Sequence, residues 1–192
     1  CAPGELVVNG MSPGNRGTRW ANSGMVVEIL PEDVEGDDVL RMMHYQETIE
    51  HRFFESGGSL NAPAQRMTDF VASRPSASLP PTSYAAGIHT ARVDELLPKA
   101  VAYRLQKGFS EFGRRHRGFL CADACVIGAE TRTSSPVRIP RDEATLVHTD
   151  VLGLYPCGEG AGYAGGIVSA AIDGRRCAEA LAEALNHRGQ TA

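Results

Sequence analysis

VLGLYPCGEGAGYAGGIVSAAIDGRRCAEALAEAL, residues 151–185, decides how this chain is read. Its apolar run Leu152–Tyr155 has the make-up of a short strand and enters a turn carrying Gly158, Gly160, Gly162, Gly165 and Gly166. A segment with helical spacing of small and apolar residues then runs to Leu185. In that order, glycines let the backbone approach a ligand, and the free N–H groups of the helix's first turn face it with partial positive charge. Taken literally, Gly160-Ala161-Gly162-Tyr163-Ala164-Gly165 satisfies GxGxxG. A dinucleotide fingerprint, however, opens a βαβ unit, with a second strand and an acidic ribose ligand roughly 20 residues on. After the helix come only the polar residues Asn186–Ala192. The element therefore reads as the last strand and helix of a sheet whose earlier strands lie elsewhere, with the helix start placed to contact a cofactor. The alternative is a turn that only packs helix on strand.

Bulk properties narrow the class. The chain has 192 residues, 42% of them hydrophobic and 22% charged, with a net charge of −4. These values give no general case for nucleic acid or a membrane surface, and no apolar run approaches the roughly 18 residues of a membrane span. No secretory leader opens the sequence shown, and its first residue, Cys1, reads as a boundary within a longer protein. Five cysteines, Cys1, Cys121, Cys125, Cys157 and Cys177, are an odd number without CxxC spacing. They predict buried structural thiols in a reducing compartment, hence a cytoplasmic location, rather than a disulfide scaffold or a zinc site. Lys99 and Lys107 are the only lysines, which excludes a Walker P-loop.

Residues 5–9 and 25–30 read as strands, joined by a polar loop (9–24) that holds Trp20 beside Arg16, Arg19 and Asn22. Apolar positions 39, 42, 45, 49 and 53 predict a helix over 38–55, stopped by Gly57-Gly58. A shorter helix is expected over 63–72, with Pro63 in its first turn and Met67, Phe70 and Val71 inward. Residues 73–92 read as a loop, 98–107 as a helix extending to Phe112, and 124–130, 132–139 and 145–148 as strands. A helical middle between β-rich flanks suits an α/β nucleotide domain carrying an inserted domain.

Other clusters weigh less. His44, Glu47 and His51 share a helix face, but HExxH is absent and the face reads as solvated, so no metal is expected. RRHR at 114–117 reads as a basic helix end. GxSxG is missing, so hydrolase chemistry has no anchor. In ETRTSSPVRIPRD (130–142), Arg132, Thr133, Ser134 and Ser135 offer a cation and hydroxyls to an anionic substrate or a flavin carbonyl, with an exposed edge strand as the alternative.

The string LYPCGEGAGYAGGIVSAAIDG (154–174) closely resembles the C-terminal signature of FAD-dependent dehydrogenases of the NAD/FAD-utilising type, which are distantly similar to flavoproteins that include a tRNA-modifying branch. NGMS (9–12), ANSGMVV (21–27), PAQR with DF (63–66, 69–70) and ETRTSSPVRIPRD (130–142) match in family order. The resemblance implies the C-terminal part of a two-domain α/β FAD-binding flavoprotein. Residues 1–148 would form part of an inserted α+β substrate-side domain, and 149–192 the closing strand and helix of the FAD-binding domain. It implies FAD as cofactor, NAD(P)H as a candidate electron donor, a small-molecule substrate, and the remaining N-terminal part of the same protein as partner. Gly158 and Glu159 correspond to the pair whose carboxylate bonds a flavin sugar hydroxyl. Ala164, Gly165, Gly166 and Ile167 correspond to the helix start facing the ring, with Arg132–Ser135 on the substrate side. The family pattern around Cys1 is not kept, and Cys1 receives no role. The expected function is dehydrogenase-type redox chemistry in the larger protein. Rival expectations are a non-catalytic fragment or binding module that retains no flavin, and a nucleic-acid-modifying flavoprotein.

Overall fold

In the computed structural model, residues 2–10 and 17–190 are described. They belong to two compact units, Cys1–Gly36 with His44–Thr131, and Asp37–Met43 with Arg132–Ala192. Cys1, residues 11–16 of the predicted loop, and with them part of NGMS lie outside the described residues.

The first unit is built on a three-stranded sheet of order β2-β1-β3: β1 is Ala62–Arg66, β2 Ile88–Thr90 and β3 Cys125–Ile127. β1 pairs parallel with β2 (Ala62 opposite Ile88) and antiparallel with β3 (Ala64 opposite Ile127). The main helices of this unit are α1 (Arg41–Glu55, from His44 on), α2 (Met67–Val71), α3 (Val93–Leu96) and α4 (Lys99–Arg115). Helical spacing explains the two long ones, with Ile49 and Phe53 buried on α1 and Ala102 and Phe109 on α4. Leu6, Val8, Phe53, Phe70, Val93 and Phe109 share one core, where the Phe70 and Phe109 rings meet edge to face at 5.7 Å.

Several predicted elements change here. Residues 63–72 are not one helix: Pro63 sits in the middle strand, and α2 starts only at Met67. Pro63 is tolerated because the antiparallel ladder begins one residue later, at Ala64, so no ladder donor is lost; its carbonyl accepts the Gly128 N–H. β2 lies inside the expected loop 73–92. Residues 5–9 and 25–30 form no strand. Leu6 donates to the Glu50 carbonyl and Val8 to that of Ala129, which pins an extended chain to the core without making a ladder.

The second unit has a single long helix among its described residues, α5 (Ile167–Gln190), with irregular chain before it. The predicted strands 132–139, 145–148 and 152–155 are absent there; Val151–Leu154 is instead a turn with Gly153 at φ +80°. Strand-like composition makes a strand only where another strand pairs with it.

Candidate functional site

The glycine turn belongs to the second unit, and a charged clamp holds it. Asp173, one turn and a half into α5, accepts the Gly158 N–H at 2.9 Å. The same carboxylate takes a two-pronged hydrogen bond from Arg141, at 2.7 and 3.0 Å. Arg141 also donates to the Pro156 carbonyl at 2.7 Å, and its guanidinium lies 3.6 Å from the centre of the Tyr163 ring. The Arg141 hydrogen bonds, helped by Gly158, hold the Asp173 carboxyl below the ordinary carboxylate range despite its burial. Both side chains are at least nine-tenths buried. They are ionised together, and neither charge is left uncompensated.

The turn closes on the segment before it. The Gly162 N–H bonds the Glu159 carbonyl, Tyr163 N–H that of Gly158, and Ile139 N–H that of Ala161. The Tyr163 hydroxyl donates to the Ile139 carbonyl at 2.8 Å. Gly162 has φ +82°, and a Cβ there would stand 2.7 Å from the Val137 carbonyl oxygen. The middle glycine of the literal GxGxxG therefore serves close packing of chain on chain. Gly160 and Gly165 differ, because a Cβ at either would meet nothing within 4 Å.

The predicted site residues separate into two groups. Gly158 is buried in the clamp, and Ser135 reaches the turn, its hydroxyl proton shared between the Val137 carbonyl (2.8 Å) and that of Gly160 (3.2 Å). Glu159 is exposed, and its carboxylate has no hydrogen-bond partner among the described residues. Ala164 and Gly166 are half-buried, Gly165 is exposed, and Ile167 opens α5 at 92% exposure. Arg132, Thr133 and Ser134 are exposed upstream of Ser135.

Sequence reasoning missed Arg141, Asp173 and Tyr163, although all three stand in the quoted motifs. Their signal was an Asp within the small-residue run of α5, spaced i, i+4 from Cys177, together with an Arg in the segment before the turn. A groove of about 620 Å³ beside the clamp is lined by Arg138, Arg141, Glu143, Tyr163 and Arg176, among others. Arg138 stacks on Tyr163 at 4.4 Å.

Elsewhere the flagged clusters serve the scaffold. His51 bonds the Gly4 carbonyl through Nδ1 at 2.7 Å, and His44 pairs with Glu47 at 3.2 Å. The described residues contain no group of three metal-type side chains placed to share an ion. Arg114 and Arg115 both pair with Glu111 on α4. From PAQR and the following Asp69, Gln65 bonds the Arg74 carbonyl and the Asp94 N–H, and Asp69 holds Arg74 and Ser76. No helix among the described residues is long and apolar enough to cross a membrane.

A family model described as FAD-dependent protein, C-terminal domain-like, matches residues 1–133. A protein of Clostridium beijerinckii, described as uncharacterized, is 44% identical over 183 residues, which cover 94% of this chain and 34% of that protein. The chain thus spans about a third of the length of that relative.

Proposed function

We propose that this chain, which belongs to the FAD-dependent protein, C-terminal domain-like family, is the C-terminal region of an FAD-dependent oxidoreductase of the dehydrogenase type. The observation that carries this is the clamped turn. It fixes Gly158 from below while leaving Glu159, Gly160, Gly165 and the first turn of α5 open above.

These residues fit the isoalloxazine and sugar end of FAD. Gly165 has clear space where a flat ring would need close backbone approach. The N–H groups at the start of α5 lack helix partners and carry the positive end of the dipole, which favours negative charge on a reduced ring. Glu159 offers an unpartnered carboxylate to a sugar hydroxyl. Ser135 ties the Arg132–Ser134 stretch to the turn, so a cation and hydroxyls are presented toward a small-molecule substrate. When bound, FAD would supply the two-electron chemistry. Residues to hold the adenosine diphosphate part would come from the rest of the longer protein.

That larger part also accounts for the outward face of α5. Ala170, Asp173, Cys177, Ala180 and Ala184 form the inward stripe, whereas Ile167, Val168, Ile172, Leu181 and Leu185 are exposed. Large aliphatic residues turned outward from small ones suit a helix that packs on further structure.

The test is a chimera in which this chain replaces the matching segment of the Clostridium relative. Expected is a folded protein that retains FAD on purification. Gly166→Val should release the flavin while helical content stays near wild type, and Glu159→Ala should weaken FAD binding by about tenfold to a hundredfold, the loss of one charge-assisted hydrogen bond. A folded chimera without flavin supports the rival binding module, and a flavin-replete Gly166→Val protein removes the proposed ring contact.

A further inference from the structure

Two thiols meet behind the glycine turn. Cys157 is exposed and immediately precedes Gly158, whereas Cys177 is buried on α5, one turn beyond Asp173. Burial pushes the Cys177 thiol up, and the Cys157 thiol lies close enough to add to that shift. The Cys177 sulfur lies 3.9 Å from the carbonyl of Pro156, the neighbour of Cys157, and 3.3 Å from the Arg141 guanidinium. An accessible thiol beside a buried one, with a cation against the second, is the layout of an attacking and a resolving cysteine.

We propose that Cys157 and Cys177 form a peroxide-oxidised dithiol that closes to a disulfide behind the Gly158–Glu159 turn. The first step takes place at the sulfur a peroxide can reach. The Cys157 sulfur attacks one peroxide oxygen, an S–O bond forms as the O–O bond breaks, and the thiol proton leaves with the other oxygen as water or an alcohol. Cys157 is then a sulfenic acid, its sulfur oxidised by two electrons. In the second step the Cys177 sulfur attacks it, an S–S bond forms, the S–O bond breaks, and hydroxide leaves with the Cys177 proton as water. Two thiols and one peroxide thus give one disulfide, one water and one water or alcohol.

The environment divides the roles. Burial pushes the Cys177 thiol up, with Arg141 opposing, so Cys177 waits as a thiol until its partner is oxidised. The guanidinium at 3.3 Å then favours the thiolate at the moment of attack. Arg141 also grips Asp173, which in turn holds Gly158, so the disulfide forms on the same clamp that sets the turn. Cys125 is an internal control, since burial in β3 pushes its thiol up to about 11.

The test needs only the reduced 192-residue chain and hydrogen peroxide, and it is independent of flavin. After brief oxidation, free thiols are alkylated and the digest is mapped by mass spectrometry. Expected is one cross-linked peptide pair joining Cys157 to Cys177, reopened by dithiothreitol and absent when the chain is oxidised in urea. Cys177→Ser should stop at a Cys157 sulfenic acid captured by dimedone, and Cys157→Ser should leave Cys177 reduced. The proposal is overturned if wild-type Cys157 proceeds to sulfinic acid without a cross-link, if it joins Cys1, Cys121 or Cys125 instead, or if it stays reduced. Because the principal readout is on the wild-type chain, a poorly folded variant does not decide the outcome.

Discussion

The two units of this chain are held together by different physics. In the first, Phe53 and Phe70 are fully buried beside Leu6 and Val93, and a sheet satisfies the backbone between them. In the second, the buried residues are mostly small or polar (Ala161, Asp173, Cys177), and Leu146 is the large aliphatic among them. Its larger apolar side chains, Leu152 at 90% and Ile167 at 92%, are exposed instead. The first unit thus gains from removing apolar surface from water, whereas the second rests on the hydrogen bonds around Arg141 and Asp173. The unit with its aliphatic residues outward is also the one in which the candidate cofactor residues stand.

Hydrogen exchange gives the largest expected contrast. Amides of β1, bonded on both sides, should open only near global unfolding, whereas those of residues 151–166 should exchange through local opening. For a stability of about 5 kcal/mol the rates would differ by roughly three to four powers of ten. Equal protection in the two segments would dissolve the distinction.

Matched truncations sharpen it. The ring of Phe53 packs so tightly on Gly128 that a Cβ there would stand 2.5 Å from it. Phe53→Ala should cost about 3–5 kcal/mol in urea unfolding followed by circular dichroism. Leu152→Ala, at an exposed position, should stay within about 0.5 kcal/mol. A comparable loss from Leu152→Ala would mean that the second unit has its own apolar core.

The clamp comes next in size. Asp173→Ala leaves the buried Arg141 cation without its partner and should destabilise the second unit by about 3 kcal/mol, with Arg141→Leu/Asp173→Ala together costing less than Asp173→Ala alone. Because Arg141 depresses the Asp173 pKa in the folded state, this stabilisation is complete above the unfolded carboxylate value, about 3.9. It is lost as pH falls through the lower folded value. Tyrosine signals from Tyr163, stacked on Arg141, should follow that loss in wild type and not in Asp173→Ala.

How much of this the sequence disclosed depended on whether the signal was local. α1 and α4 were legible because each repeats an apolar position every three or four residues over four turns, and α5 was legible from its glycine start. Strands were read from Val, Leu and Ile content and, over 130–142, from alternation, and neither says whether a partner is present. Residues 25–30 and 152–155 had the composition and found no ladder, whereas Ala62-Pro63-Ala64 lacked it and became the middle strand. Within the site, the glycines and Glu159 were visible as a contiguous motif. The Arg141–Asp173 pair was not, because its members are 32 residues apart and meet only when α5 folds back on the 138–142 segment.

The smallest expected effect lies at the edge of the well-packed unit. His51, on the exposed side of α1, donates through Nδ1 to the Gly4 carbonyl and so fastens the chain that leads into Leu6 and Val8. That hydrogen bond raises its pKa above the ordinary histidine value, with the nearby carboxylates of Glu5, Glu55 and Glu47 adding to it and slight desolvation opposing. The sign follows from linkage: the charged form is favoured in the folded state, so the contribution is fully present below the unfolded histidine pKa, about 6.5, and is lost as pH rises through the higher folded one. Imidazole resonances of His51 should titrate above those of the unfolded chain. The thermal midpoint of wild type relative to His51→Ala should narrow between mildly acidic and mildly alkaline pH. His51→Gln, whose side-chain amide donates at any pH, should flatten that dependence if it reaches Gly4. A His51 titration at or below the unfolded value would show that the N-terminal segment is anchored by Leu6 and Val8 alone, and the core of the first unit would then carry its own edge without help from charge.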